Sequence, residues 1–217
     1  MTGQEIATAT MPATEFYPSS DGEPMAETVV HRDLLNNLVF QLREHVRNQP
    51  DVYVSGNLFI YYVAGNPKNR VAPDVFVVHG VPKGERRIYK LWEEGQPPSV
   101  VIELSSRKTW REDWQEKFQL YAQLGVKEYY IFDPEYDYLP EPLIASRLVE
   151  GAYEPVEVVD GRIHSEALGL DLVDDGHTLR LYDPQRKTYL LTPAEALRQV
   201  EEMRAELARL QSSRESV

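Results

Sequence analysis

Ala-Pro-Asp-Val-Phe-Val-Val (72–78), Ser-Val-Val-Ile-Glu-Leu-Ser (99–105) and Lys-Glu-Tyr-Tyr-Ile-Phe-Asp-Pro (127–134) decide the fold. Each is a short apolar run of strand length, rich in β-branched and aromatic residues. Between the second and third, Trp110 to Leu124 has helical spacing, and Gly125 is a natural stop. Strand, helix and strand in that order predict an α/β architecture. Pro73 cannot donate to a ladder, so it places Asp74 at a strand end, where a side chain can face a cleft. Glu103 interrupts Val-Val-Ile, and an acid there is costly to bury unless it is paired or bound to a metal. Asp113 and Lys117 stand one helical turn apart. Alone they read as a surface ion pair worth about 0.3–0.5 kcal/mol, but Leu120 and Leu124 on the same stripe turn Lys117 toward the sheet. Two acids and a lysine on adjacent elements can hold a divalent cation and polarise a phosphate.

Outward from this stretch, Val30, Leu34, Leu38, Leu42 and Val46 step by four and predict a helix over about 28–48, with Thr28 as N-cap and Pro50 beyond its end. Glu27, His31 and Glu44 are its notable polar residues, each equally readable as a solvated side chain or a cap. Residues 51–63 predict two short strands or one bent strand around Ser-Gly-Asn (55–57). Residues 80–98 read as an irregular loop in which Lys83, Arg86, Arg87, Tyr89, Lys90 and Trp92 interleave. That mix suits phosphate contacts and base stacking, and equally an ordinary surface loop. Strand-like runs at 143–148, 153–158 and 178–182 predict an antiparallel extension, and 168–172 is ambiguous. Thr-Pro-Ala-Glu (192–195) starts a capped helix. Ala196, Val200, Met203, Leu207 and Leu210 then step 4, 3, 4, 3, a heptad seam too short to be stable alone. The expected organisation is a mobile tail (1–20), a globular domain (21–192) and a C-terminal helix (193–217) that packs on its own domain or pairs with a second subunit.

The 217 residues contain no Cys, so disulfides, thiolate centres and Cys nucleophiles are excluded. With no His pair at ligand spacing either, zinc is not expected. No apolar run approaches the roughly 20 residues of a membrane span, and no secretion signal is visible, so a cytoplasmic protein is expected. The net charge of −12 argues against general nucleic-acid binding. The charge is uneven, however: residues 83–127 hold 9 Lys and Arg against 7 acids, whereas 128–175 hold 2 against 13.

Ala-Pro-Asp-Val (72–75), Val-Val-Ile-Glu-Leu-Ser-Ser (100–106), Asp113 with Lys117 and Tyr121, and Gly-Val-Lys-Glu-Tyr-Tyr-Ile-Phe-Asp-Pro (125–134) together resemble the Uma-two family. This is the domain of unknown function 820 family, within the PD-(D/E)xK, or restriction-endonuclease-like, superfamily. The resemblance covers about residues 21–192. It implies a mixed central sheet flanked by helices and a metal-dependent endonuclease acting on DNA. Asp74 then matches the metal-binding Asp and Glu103 the (D/E). Where the superfamily has its lysine, two residues after the acid, this chain has Ser105. The family resembles one in which the lysine has moved to the following helix, which points to Lys117, supported by Asp113. The implied cofactor is Mg²⁺ (or Mn²⁺) on Asp74, Glu103 and the Leu104 carbonyl, with a helical Glu, either Glu27 or Glu44, completing the site. A homodimer is implied as well. Two rivals stand beside this reading: a catalytically inactive nucleic-acid-binding or interaction module on the same fold, and a structural protein assembled through its tail.

Overall fold

The computed structural model describes residues 16–20 and 28–215. Regular structure begins with α1 (Val29–His45), capped by Thr28, whose hydroxyl accepts the His31 amide at 3.3 Å. Leu34, Leu35, Leu38 and Leu42 form its buried stripe. Then come β1 (Val52–Ser55), β2 (Ile60–Tyr61), β3 (Arg70–Val71), β4 (Val75–His79), β5 (Tyr89–Lys90), the short α2 (Leu91–Glu94) and β6 (Val100–Leu104). Residues 110–124 are one helical segment in three parts: α3 (Trp110–Glu112), a π-helical turn (Asp113–Lys117) and α4 (Phe118–Leu124). Gly125 ends it in the left-handed conformation, φ 84°. After β7 (Glu128–Phe132), β8 (Leu143–Val149) and β9 (Ala152–Val156) come β10 (Arg162–Ser165), β11 (Leu170–Asp174), β12 (Leu179–Asp183) and β13 (Thr188–Tyr189), and α5 (Pro193–Glu215) closes the described chain.

The central sheet has the order β1-β4-β6-β7-β8-β9. Only β6 and β7 run parallel, joined by the crossover through 110–124; the other neighbours are antiparallel. Side chains alternate between its two faces. Val52, Val54, Val75, Val77, Val100, Ile102, Leu104, Tyr130 and Phe132 face α1 and the antiparallel sheet β10-β11-β12-β13. Tyr53, Phe76, Val78, Val101, Tyr129 and Ile131 face the other way, toward Tyr121 and the small sheet β3-β2-β5. That second face is markedly aromatic. By parity Asp74 and Glu103 belong to it.

The mixed α/β architecture, the antiparallel extension and the C-terminal helix agree with the sequence reading. The differences are local. β8 and β9 extend the central sheet, whereas β10 to β13 form a sheet of their own, and the ambiguous run 168–172 leads into β11. The loop at 80–98 holds β5, which pairs in parallel with β2, and the turn of α2. Of the expected mobile tail, residues 16–20 lie against this small sheet. Tyr17 packs its ring 4.9 Å from Tyr61 and 5.4 Å from Trp92, and Tyr61 donates to the Pro18 carbonyl at 2.5 Å. At the start of α5, Thr192 and Glu195 cap each other's amides, at 2.8 Å and 3.3 Å.

Candidate active site

The β4–β6 ladder ends with Val75 opposite Ile102, and just before it Pro73 turns its carbonyl to the Asn57 amide at 2.9 Å. Proline has no N–H, so on that side the ladder stops. The Asp74 carboxylate takes the Leu104 amide at 2.8 Å through Oδ2, and the Asp74 amide donates to Glu103 Oε2 at 3.3 Å. Gly56 lies against this strand end: a Cβ there would stand 2.3 Å from the Asp74 carbonyl oxygen, so no larger residue fits. The Pro-Asp pair thus converts a strand edge into a side-chain site.

The helix across the aromatic face completes it. Lys117 Nζ stands 2.9 Å from Asp113 Oδ1 and 3.2 Å from Glu103 Oε2. Tyr121 donates to Glu103 Oε1 at 2.7 Å, and Ser105 donates to Asp113 Oδ2 at 3.1 Å. Tyr129 donates to the Asp113 carbonyl at 2.8 Å. The sequence places Trp110, Trp114, Phe118 and Tyr121 on one stripe, but Trp114 is exposed while Asp113 is buried. The π turn is the physical reason. Its extra residue per turn shifts the phase, so that Asp113, Lys117 and Tyr121 face inward together.

Glu103 is 0 % exposed and Asp113 1 %, whereas the Asp74 side chain keeps 14 % and marks the open side. Burial pushes the Glu103 carboxyl up to about 8, and repulsion from Asp74 and Asp113 adds to this against the pull of Lys117. For Asp74 burial acts in the same upward direction. The hydrogen bond and charge of His31, the Lys117 charge and the Leu104 amide outweigh it and hold the carboxyl below its usual range. Burial would lower Lys117, but Glu103, Asp113 and Asp74 more than offset that and keep it an ammonium. Burial, then the nearby Glu103, holds the Tyr121 phenol well above its usual range, so it stays a neutral donor. Three carboxyl groups therefore share one ammonium. This negative excess on hard oxygen donors fits a divalent cation. Among the described residues no group of three or more His, Asp or Glu side chains is spaced, as it stands, to hold a metal ion. Mg²⁺ held by one or two carboxylates keeps several of its waters.

Asp74, Glu103, Asp113, Ser105, Lys117 and the Leu104 backbone thus come together. Glu44 does not. It is 13 residues along α1 from His31, about 20 Å at the helical rise, and 56 % exposed beside Arg47 at 3.8 Å. Glu27 lies outside the described residues. The helical group at the cluster is His31, with Nε2 2.9 Å from the Leu104 carbonyl oxygen and 3.4 Å from Asp74 Oδ2. Its sequence signal is its place on the α1 stripe, four residues before Leu35.

A groove of about 740 Å³ follows the open edge of β1 and is lined by Arg43, Arg47, Lys83, Arg86 and Arg87, with Glu85 the single acid. Lys83 caps the end of α1 on the Val46 and Arg47 carbonyls, and Arg86 is bound to Glu94, which leaves Arg47 and Arg87 outermost. Tyr89, a candidate for base stacking, is buried and donates to the Gln96 carbonyl, so that role falls away. Among the described residues no helix is long and apolar enough to cross a membrane.

No curated protein matches the chain. Among solved structures it is similar to one described as a "putative nuclease belonging to DUF820" from Anabaena variabilis. The two share 16% identity at a TM-score of 0.49, over 67% of this chain and 76% of that one. The sequence profile of the Uma2 family, described as "Putative restriction endonuclease", matches residues 8–181, most of the chain, and the protein belongs to that family.

Proposed function

We propose that the protein is a nuclease that hydrolyses phosphodiester bonds in DNA with Mg²⁺ (or Mn²⁺) held by Asp74, Glu103 and the Leu104 carbonyl. The observation that carries this reading is the meeting of two buried carboxyl groups, Glu103 and Asp113, and the half-buried Asp74 with a single lysine at a strand end. When bound, the cation supplies a water of lowered pKa and offsets charge on the phosphate. Lys117, held cationic by its three acid neighbours, orients that water or stabilises the charge that grows on the phosphate oxygens. Asp113 and Ser105 fix the Lys117 ammonium; Tyr121 fixes the Glu103 carboxylate. The basic groove supports a nucleic-acid substrate, because cations along β1 would track a phosphate backbone.

The same reading takes 21–192 as the catalytic domain of a cytoplasmic protein. It takes α5 as the element that pairs two copies, since Leu197, Val200, Met203, Leu207 and Leu210 are all exposed along one helix. Solution mass tests the pairing: Leu207→Arg is expected to halve it, and an unchanged mass would remove α5 from the interface. Cleavage of single- and double-stranded DNA with Mg²⁺ or Mn²⁺ tests the chemistry. Wild type is expected to cut, and Asp74→Ala and Glu103→Ala to be inactive while folded. Absence of any cleavage that Glu103→Ala removes would overturn the assignment. One observation favours the inactive-module reading: both Glu103 oxygens already have protein partners, and Ser105 stands where the superfamily keeps its lysine.

A further inference from the structure

The start of α1 is inverted with respect to hydrophobicity. Val29 and Val30 are 61 % and 53 % exposed, while His31 beside them is buried. Burying an imidazole in place of two valines is unfavourable unless its nitrogens have a task. The helix is phased for it: His31, Leu35, Leu38 and Leu42 lie on one stripe, and Thr28 fixes the first turn through the His31 amide.

That task lies at the end of β6. The β4–β6 ladder ends at the pair Val75–Ile102, so Leu104 has no paired residue on β4. His31 Nε2 fills the gap, 2.9 Å from that oxygen and 3.4 Å from Asp74 Oδ2. These are two of the oxygens assigned above to the cation, on independent grounds. With two acceptors in front of it, Nε2 carries the proton in the metal-free protein.

We infer that His31 is a ligand of the divalent cation, supplying one nitrogen from α1 to a site whose other donors are oxygens. The inference rests on the metal-dependent reading of the site. To hold the cation, His31 would give up its Nε2 proton to solvent, and the Leu104 carbonyl, freed of this hydrogen bond, could join it as a ligand. The imidazole also tilts selectivity. Carboxylate and carbonyl oxygens suit Mg²⁺ and Mn²⁺ alike, whereas a nitrogen donor favours the transition ion. The site is therefore expected to bind Mn²⁺ more tightly than Mg²⁺, and to lose that preference with His31.

The test is the electron spin echo envelope modulation of Mn²⁺ bound to the full-length protein, with and without a DNA duplex. His31→Gln serves as control, because its amide can still donate to the Leu104 carbonyl and hold the helix. The expected result is nitrogen modulation in wild type that disappears in His31→Gln, with Mn²⁺ affinity at least about tenfold weaker and Mg²⁺ affinity changed less. Bound Mn²⁺ without nitrogen coupling, or coupling that persists in His31→Gln, would overturn the inference while leaving the nuclease reading in place. No Mn²⁺ bound with or without DNA would overturn both. Equal melting temperatures for wild type and His31→Gln would show that the lost coupling is not lost folding.

Discussion

Two buried glutamates on neighbouring parallel strands have opposite surroundings. Glu128, at the start of β7, faces the aliphatic side of the sheet. It accepts hydrogen bonds from Tyr130 at 3.1 Å, from the Ser165 hydroxyl, and from the Glu166 and Ala167 amides at 3.0 Å and 3.3 Å. Its nearest cation, Arg147, is 4.0 Å away. Neutral donors saturate this carboxylate, and three of the four come from the end of β10 and the turn after it, so Glu128 joins the two sheets. Glu103, near the end of β6, faces the aromatic side and meets two further acids and one lysine. Burial alone does not mark a functional acid; what distinguishes Glu103 is the company of Asp74 and Asp113.

The comparison is broken most forcefully at Lys117. Lys117→Met leaves the buried Glu103 and Asp113, and Asp74 beside them, without their cation. It should destabilise the metal-free protein by about 3–5 kcal/mol at neutral pH, with partial recovery on adding Mn²⁺. Denaturant unfolding measures this, and a loss below about 1 kcal/mol would mean that the acids are not truly crowded.

Substituting the two glutamates in parallel sharpens the contrast. Glu128→Gln removes acceptors from well-made hydrogen bonds and should cost about 1–3 kcal/mol without changing metal affinity. Glu103→Gln removes the cost of keeping a buried acid protonated and should leave metal-free stability at neutral pH equal or higher while abolishing metal binding. Equal destabilisation in both would make Glu103 a structural acid like its neighbour.

The gentlest probe is pH. In the metal-free protein Glu103 stays protonated up to about pH 8, whereas in the unfolded chain it ionises near its ordinary value. Between those values the native state holds the extra proton, so stability falls as pH rises, by at most about 1.4 kcal/mol per unit. Asp74 acts the other way: its lowered pKa contributes stability at higher pH that is lost in acid. Thermal melts from about pH 5 to 8 should therefore slope downward in wild type and flatten in Glu103→Gln. Cation affinity should rise over the same range, since the ligand must lose its proton. An unchanged slope in Glu103→Gln would place the titration elsewhere.

Much of this was legible in the residues. The Pro-Asp strand, the acid-broken strand and the helix with Asp113 and Lys117 are local patterns whose coincidence points inward, and the structure brings those side chains within hydrogen-bonding reach. Three things were not legible. The π turn at 113–117 was not legible, because simple 3.6-residue periodicity cannot register an inserted residue; the inward turn of Lys117 was, but not the exposure of Trp114 beside the buried Asp113. His31 looked like one polar residue among several, because its partner, the Leu104 carbonyl, lies 73 positions away, past the end of the β4–β6 ladder. Glu44 shares α1 with His31, but sequence spacing does not say which end of the helix meets the site.

The central claim is that Asp74 and Glu103 form one cation site. Calorimetric titration of Mg²⁺ and Mn²⁺ into wild type, Asp74→Ala and Glu103→Ala, each alone and with a DNA duplex, tests it directly. The account predicts binding in wild type, strengthened by DNA, and none in either variant. Absence of binding to wild type even with DNA, or undiminished binding in both variants, would contradict it.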